Sequence, residues 1–287
     1  MRDTTVPSAS FGARLRAALD ARGPLCAGVD PHSALLAAWG LSDDVAGLER
    51  FAGTVVEALA DRVAVLKPQS AFFERFGSRG IAVLERTIAD ARAAGALVIL
   101  DAKRGDIGST VEAYAQAYLD VSSPLFSDAV TASPYLGYDS LEPLYATAEK
   151  NGAGVFVLAF TSNPEGASVQ RALIPDDPGG VTVGAAILAA AARRNAGAEV
   201  LGSIGAVIGA TVTDIPFDLA TLNGPLLAPG LGAQGATPDD LRVVFGGALR
   251  NVVPATAREL LRHGPDVSAL REAVARSIDE CQVALGY

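Results

Sequence analysis

Cysteine and histidine are almost missing from this chain, which has two of each in 287 residues. Cys26 and Cys281 give neither a disulfide framework nor a zinc-ligand spacing, so a reducing compartment, the cytoplasm, is expected. Cys26 lies in an apolar run and reads as core rather than nucleophile. His32 and His263 are too few and too far apart for a metal cluster, so no metal is expected. His32 follows Asp30-Pro31 and reads chiefly as a loop residue, with approach to a site as the alternative. Positive charge is short as well: 23 Lys and Arg stand against 32 Asp and Glu, a formal net charge of −9. A general nucleic-acid binder needs a basic face, so that partner class is set aside. An anionic small molecule stays open, because a single pocket can be locally positive. No apolar run reaches the roughly 18 residues of a membrane span, and Met1-Arg2-Asp3-Thr4-Thr5 has no apolar h-region. Neither a membrane partner nor a signal peptide is expected. Strict repeats and low-complexity tracts are lacking too.

What the chain does have is hydrophobic residues, half of the total, enough to bury a full core. Phe11 to Ala21 carries apolar residues at helical spacing and reads as a short N-terminal helix. Short apolar runs then recur at Pro24–Val29, Val63–Leu66, Leu97–Leu100, Ala129–Ala132, Gly154–Ala159, Ile204–Gly209, Pro225–Ala228 and Leu249–Val253. Amphipathic helical stretches separate them, among them Leu48–Ala60, Gly80–Ala94, Thr110–Leu119, Ser140–Asn151 and Pro238–Phe245. Alternating strands and helices predict a parallel sheet. Eight repeats fit an α/β fold of the (β/α)8 barrel type, the TIM barrel, better than an open sheet. Residues 1–287 read as one barrel domain. The connection Thr161–Val183, with Pro164, Gly166, Pro175, Pro178, Gly179 and Gly180, is too long for an ordinary turn. It is either a flap over a site or a tolerated surface insertion.

Polar residues gather just after these strands. They are Asp30 after the first, Lys67 after the second, Asp101, Lys103 and Asp106 at the third, and Ser133 after the fourth. Ser162 and Asn163 follow the fifth, Gly230 to Gly235 the seventh, and Arg258 the eighth. One such charge is often a structural ion pair; a ring of them at one mouth points to chemistry. The densest stretch is Leu100-Asp101-Ala102-Lys103-Arg104-Gly105-Asp106-Ile107. Residues two apart on a strand share a face, so Asp101 and Lys103 should project together. Asp106 lies beyond the Gly105 turn. Gly230-x-Gly232-x-x-Gly235 has the form of a dinucleotide fingerprint, but it occurs in the seventh unit with no strand-end acid about 20 residues on. With the N-cap and N1 proline of Thr237-Pro238, it reads as a phosphate-binding loop.

Five blocks together resemble the orotidine 5′-phosphate decarboxylase family, in its longer bacterial branch. They are Leu25-Cys26-Ala27-Gly28-Val29-Asp30-Pro31, Lys67-Pro68-Gln69-Ser70-Ala71-Phe72-Phe73-Glu74 and Asp101 to Thr110. Ser133-Pro134-Tyr135-Leu136-Gly137 and Pro229-Gly230-Leu231-Gly232-Ala233-Gln234-Gly235 complete the set. The resemblance implies a dimeric (β/α)8 barrel that converts orotidine 5′-phosphate to UMP and CO2 without a metal or other cofactor. It makes Lys67, Asp101, Lys103 and Asp106 a charged tetrad, with Lys103 the proton donor to pyrimidine C6. Asp106, Ile107 and Thr110 would reach the neighbouring subunit's site. Asp30 would hold a ribose hydroxyl, Ser133 the pyrimidine edge, Gln234 a bridge from base to phosphate and Arg258 the phosphate, with Pro229 also at the substrate. Gly235-Ala236 stands where many relatives have two glycines. Magnesium-dependent ketogulonate-phosphate decarboxylases and hexulose-phosphate synthases share the Asp-x-Lys-x-x-Asp pattern; Lys67 speaks against them, since a cation there would oppose a metal. A catalytically silent phosphate-ligand binder is the other alternative.

Overall fold

The computed structural model describes residues 5–175, 179–232 and 235–287. Its centre is a closed barrel of eight parallel strands in sequential order. They are β1 (Cys26–Val29), β2 (Val65–Pro68), β3 (Leu97–Arg104), β4 (Ala129–Ala132), β5 (Gly154–Phe160), β6 (Ile204–Ile208), β7 (Leu226–Pro229) and β8 (Val252–Thr256). The N-terminal half carries α1 (Phe11–Arg22), α2 (Ser33–Ala38), α3 (Val45–Leu59), α4 (Ser70–Glu74), α5 (Gly77–Ala93) and α6 (Gly108–Leu119). The C-terminal half carries α7 (Glu142–Lys150), α8 (Ala167–Gln170), α9 (Val183–Arg194), α10 (Pro238–Phe245), α11 (Arg258–Leu261) and α12 (Val267–Leu285). The TIM barrel expected from the alternation is therefore the observed fold.

The period-two alternation of the strands divides the core in two. Val98, Leu100, Val130, Val155 and Val157 point outward to a layer shared with the helices. Cys26, Val65, Ile99, Ala129, Phe156, Leu227 and Val253 point inward and fill the barrel. Phe11, Leu15 and Leu19 of α1 join this inner cluster. Phe11 meets Phe156 edge-on at 5.9 Å, and Arg14 reaches Asp128, just before β4, at 2.7 Å. Helix α1 thus closes the N-terminal end of the barrel. The other end stays open.

Most elements begin or end one to three residues from the expected bounds, and among the strands β3 and β8 differ most. β3 runs on through Asp101 to Arg104 instead of ending at Leu100, because charged side chains are tolerated at an open barrel mouth. β8 begins at Val252 and includes Pro254, while Gly246–Asn251 form a 3-10 turn that starts at Gly246, whose φ is +46°. Pairing of β8 with β1 is confined to Ala255 and Thr256. Pro254, without an N–H, therefore sits where its strand has ladder partners on the β7 side only. The connection 161–183 holds a 3-10 turn, α8 and an antiparallel bridge between Leu173 and Thr182. Arg171 donates to the carbonyls of Thr213 and Asp214 at 2.6 and 3.0 Å, tying this segment to the loop after β6.

Candidate active site

The centre of the site is an irregularity in the sheet. β3 pairs with β4 at Leu100–Val130 and next at Arg104–Ala132. Asp101, Ala102 and Lys103 therefore face the single residue Thr131, a bulge of three residues against one. Lys103 takes a left-handed backbone, φ +48°, which a side chain with a Cβ rarely adopts. Gly105 follows directly, and a Cβ there would lie 2.2 Å from the carbonyl oxygen of Ser133. Only glycine lets the two loops approach so closely, and the Ser133 N–H donates to the Arg104 carbonyl at 2.9 Å.

The bulge brings two ammonium groups onto one buried carboxylate. Lys67 Nζ lies 2.9 Å from Asp101 Oδ2, and Lys103 Nζ lies 2.5 Å from Oδ1. Gln69 Nε2 also donates to Oδ2 at 3.0 Å, and Thr131 Oγ1 donates to Oδ1 at 2.8 Å. Four donors fill the acceptor capacity of the carboxylate. Burial pushes the Asp101 carboxyl up, but Lys67 and then Lys103 overcome it and hold it well below the usual carboxylate range. Burial likewise opposes the charge on Lys67, and Asp101 and Asp30 outweigh it, raising Lys67 above the ordinary lysine value. Both groups are therefore ionised at neutral pH. The Lys67 side chain is 9% exposed, the Lys103 side chain 44%. Lys103 is the cation that faces the mouth. Below them Cys26 is fully buried, and burial pushes its thiol up to about 12, as expected of a core residue.

Next to Lys67 a cavity of about 100 Å³ is lined by Asp30, Pro229, Gly230, Leu231, Thr256 and Arg258, among others. It joins the ends of β1, β7 and β8. Asp30 Oδ1 is buried there with no hydrogen-bond partner among the described residues. Burial raises the Asp30 carboxyl, and Lys67 opposes that rise. An unpaired buried acceptor beside a cavity suits a ligand hydroxyl. Gly230, Gly232 and Gly235 all have positive φ. Thr237 and Asp240 form a reciprocal capping box at the start of α10, so those amides are already satisfied. The Gly232 and Gly235 N–H groups already donate to the carbonyls of Ala236 and Gly232, at 2.9 and 2.8 Å, so an anion at this end would meet Arg258 at the cavity. Gln234 lies outside the described residues. His32 Nδ1 accepts from Leu35 N–H at 3.4 Å and caps α2, while its ring also lies within electrostatic reach of Arg258 and Asp30.

A family profile described as "Orotidine 5′-phosphate decarboxylase / HUMPS family" matches residues 23–273. The chain belongs to this family. The orotidine 5′-phosphate decarboxylase of Streptomyces coelicolor is 67% identical over 276 residues, 96% of this chain and 98% of that one. That of Salinispora arenicola is 64% identical over the same span and coverage. A crystal structure from Streptomyces avermitilis, provisionally assigned to the same enzyme, superimposes with a TM-score of 0.95 at 63% identity, covering 100% of this chain and 99% of that one. The Leishmania donovani OMP decarboxylase structure gives a TM-score of 0.73 at 30% identity, with 97% and 100% covered.

Within one chain of this decarboxylase-family barrel, the expected residues fall into two sets. Lys67, Asp101 and Lys103 meet, and Asp30, Pro229 and Arg258 surround the adjoining cavity. Asp106 stands apart: its Oδ1 accepts from Ile107 N–H at 2.8 Å, and among the described residues no ion pair links it to either lysine. Ile107 is 62% exposed, and Thr110 is exposed beside it at the start of α6. Ser133 is half-buried after β4. Sequence reasoning gave no role to Gln69 or Thr131. The available signal for Thr131 was a polar residue at an inward position of an otherwise apolar strand.

Proposed function

We propose that this chain removes CO2 from orotidine 5′-phosphate to give UMP, in pyrimidine nucleotide synthesis, without a metal or organic cofactor. The observation that carries the reading is the Lys67–Asp101–Lys103 cluster, with two ammoniums on one saturated carboxylate beside the cavity of Asp30 and Arg258. As the C6–carboxylate bond breaks, its electron pair stays on C6 as a carbanion that the ring delocalises poorly. The Lys103 ammonium, fixed in advance by Asp101, stabilises that charge and delivers its Nζ proton to C6. Two unit charges about 4 Å apart at an effective dielectric near 20 interact by roughly 4 kcal/mol. That is part of the roughly 8–23 kcal/mol enzymes remove from barriers. The remainder comes from binding the distant phosphate at Arg258. Asp30 would take a ribose hydroxyl, Ser133 the pyrimidine edge, and Gln234 would bridge base and phosphate.

Magnesium-dependent chemistry of the related sugar-phosphate enzymes fits poorly, because the buried Lys67 cation occupies the side of Asp101 that a metal would need. Asp106 would serve the site of a second copy, with Ile107 and Thr110. The apolar side chains of Ile107, Tyr135 and Leu136, 62%, 78% and 54% exposed on the loops after β3 and β4, support a homodimer seam at this rim. Among the described residues no helix is long and apolar enough to cross a membrane, and the reading places the protein in the cytoplasm. The test compares wild type with Lys103→Ala. Wild type should form UMP, and Lys103→Ala should lose at least about a hundredfold in turnover while still binding UMP. A Lys103→Ala protein with wild-type turnover would overturn the assignment.

A further inference from the structure

We propose that Thr131 is a positioning residue for the reaction, holding Lys103 in its left-handed backbone through the Thr131 hydroxyl; this rests on the decarboxylase reading above. Across the bulge, three residues of β3 face one residue of β4. A bulge leaves ladder groups unpaired, and a buried N–H needs an acceptor. Here the Lys103 N–H donates to Thr131 Oγ1 at 3.0 Å, a side-chain oxygen in place of a strand carbonyl. The same hydroxyl donates to Asp101 Oδ1 at 2.8 Å.

A hydroxyl has one proton to give and two lone pairs to accept with. Its proton is committed to the Asp101 carboxylate, so a lone pair is what meets Lys103 N–H. Both bonds are thus compatible at once, and each orients the other. Thr131 is 1% exposed, so water does not compete for it. It shares the inward face of β4 with Ala129, which fixes where the hydroxyl points. Lys103 has no glycine's freedom at φ +48°, a conformation disfavoured for residues with a Cβ. Something must hold it there, and the Thr131 contact to its N–H is a hydrogen bond that does so. The ammonium at the other end of the same residue is anchored by Asp101, which Thr131 also orients. One buried hydroxyl therefore sets both the backbone and the counter-ion of the proposed proton donor. On the outer face Arg104 donates to the Ala102 carbonyl at 2.6 Å, bracing the same bulge from behind.

The experiment compares Thr131→Val, Thr131→Cys and Thr131→Ser with wild type. Valine matches threonine in shape without the hydroxyl; serine and cysteine differ from one another mainly in hydrogen-bonding strength. Val and Cys should lower kcat for orotidine 5′-phosphate by about tenfold to a hundredfold. KM should stay within about twofold, because phosphate and ribose contacts are untouched. Ser should keep kcat within about threefold of wild type. Hydrogen exchange, followed by mass spectrometry on peptides spanning residues 98–106, gives a second readout independent of turnover. The Lys103 amide should exchange at least about tenfold faster in Val and Cys than in wild type and Ser. Wild-type kcat in Val, equal losses in Ser and Cys, or unchanged Lys103 exchange would each overturn the proposal. If Val does not fold, the Ser–Cys pair decides. If wild type itself forms no UMP, the decarboxylase reading has failed, and the exchange comparison alone decides the role of Thr131.

Discussion

Replacing Asp101 by asparagine keeps the shape of the central side chain and removes the charge that both lysines share. In the native protein all four contacts to this carboxylate come from donors, Lys67, Lys103, Gln69 and Thr131. An asparagine NH2 must therefore face at least one other donor. Leaving a buried partner unpaired costs about 3–5 kcal/mol. Lys67, 9% exposed on its side chain, takes that penalty in full, whereas the half-exposed Lys103 adds less than about 1 kcal/mol. Asp30 remains near Lys67 and offsets part of the loss, so about 3 kcal/mol is expected. For a chain of 287 residues that lowers Tm by roughly 5 °C. The depressed Asp101 carboxyl fixes the sign of the pH dependence. Its stabilising contribution is complete above the unfolded value of about 3.9 and declines as pH falls through the lower folded value. The stability gap between wild type and Asp101→Asn should thus be constant from neutral pH down to about pH 4 and narrow below it. Thermal or urea unfolding across that range measures it, alongside UMP formation, which should fall at least about a hundredfold. A variant as stable as wild type at pH 7, or a gap that widens on acidification, would refute the reasoning.

Lys103→Ala and Asp106→Ala proteins should each be nearly inactive, and mixing them with subunit exchange should restore activity. One of the two sites in a mixed dimer then carries neither substitution; exchange without rescue would place the whole site in one chain. Arg258→Ala should lower kcat/KM for orotidine 5′-phosphate by about tenfold to a hundredfold, the loss of one hydrogen-bonded charge contact to phosphate. Steady-state kinetics will show it, and added guanidinium, which replaces the missing cation, should recover part of the rate. Gly105→Ala should destabilise the fold by more than about 1 kcal/mol, because its Cβ would lie 2.2 Å from the Ser133 carbonyl. Unfolding midpoints measure that loss.

The alternation of apolar runs was enough to read the barrel, and β4 falls where its run predicts, at Ala129–Ala132. The apolar pattern of β3 ended at Leu100, yet the strand continues to Arg104, because strand continuity at an open mouth depends on neighbouring strands rather than on local hydrophobicity. Asp101 and Lys103 were legible from their spacing and from the family resemblance together. That Asp30 and Arg258 border one cavity follows from barrel closure between β1 and β8, a non-local fact. Thr131 was opaque for the same kind of reason. Its role depends on a register shift between two strands, and no neighbouring residue in the sequence announces the left-handed backbone at Lys103. Gln69 lies two residues after Lys67, but its contact with Asp101 requires β2 and β3 side by side.

The proposed decarboxylation needs no metal or organic cofactor. Purified protein dialysed against a chelator and then given orotidine 5′-phosphate tests it most directly. The expected result is UMP and CO2 in equal amounts, at a rate that added magnesium leaves unchanged. No UMP from folded protein, or UMP only after magnesium is restored, would contradict it.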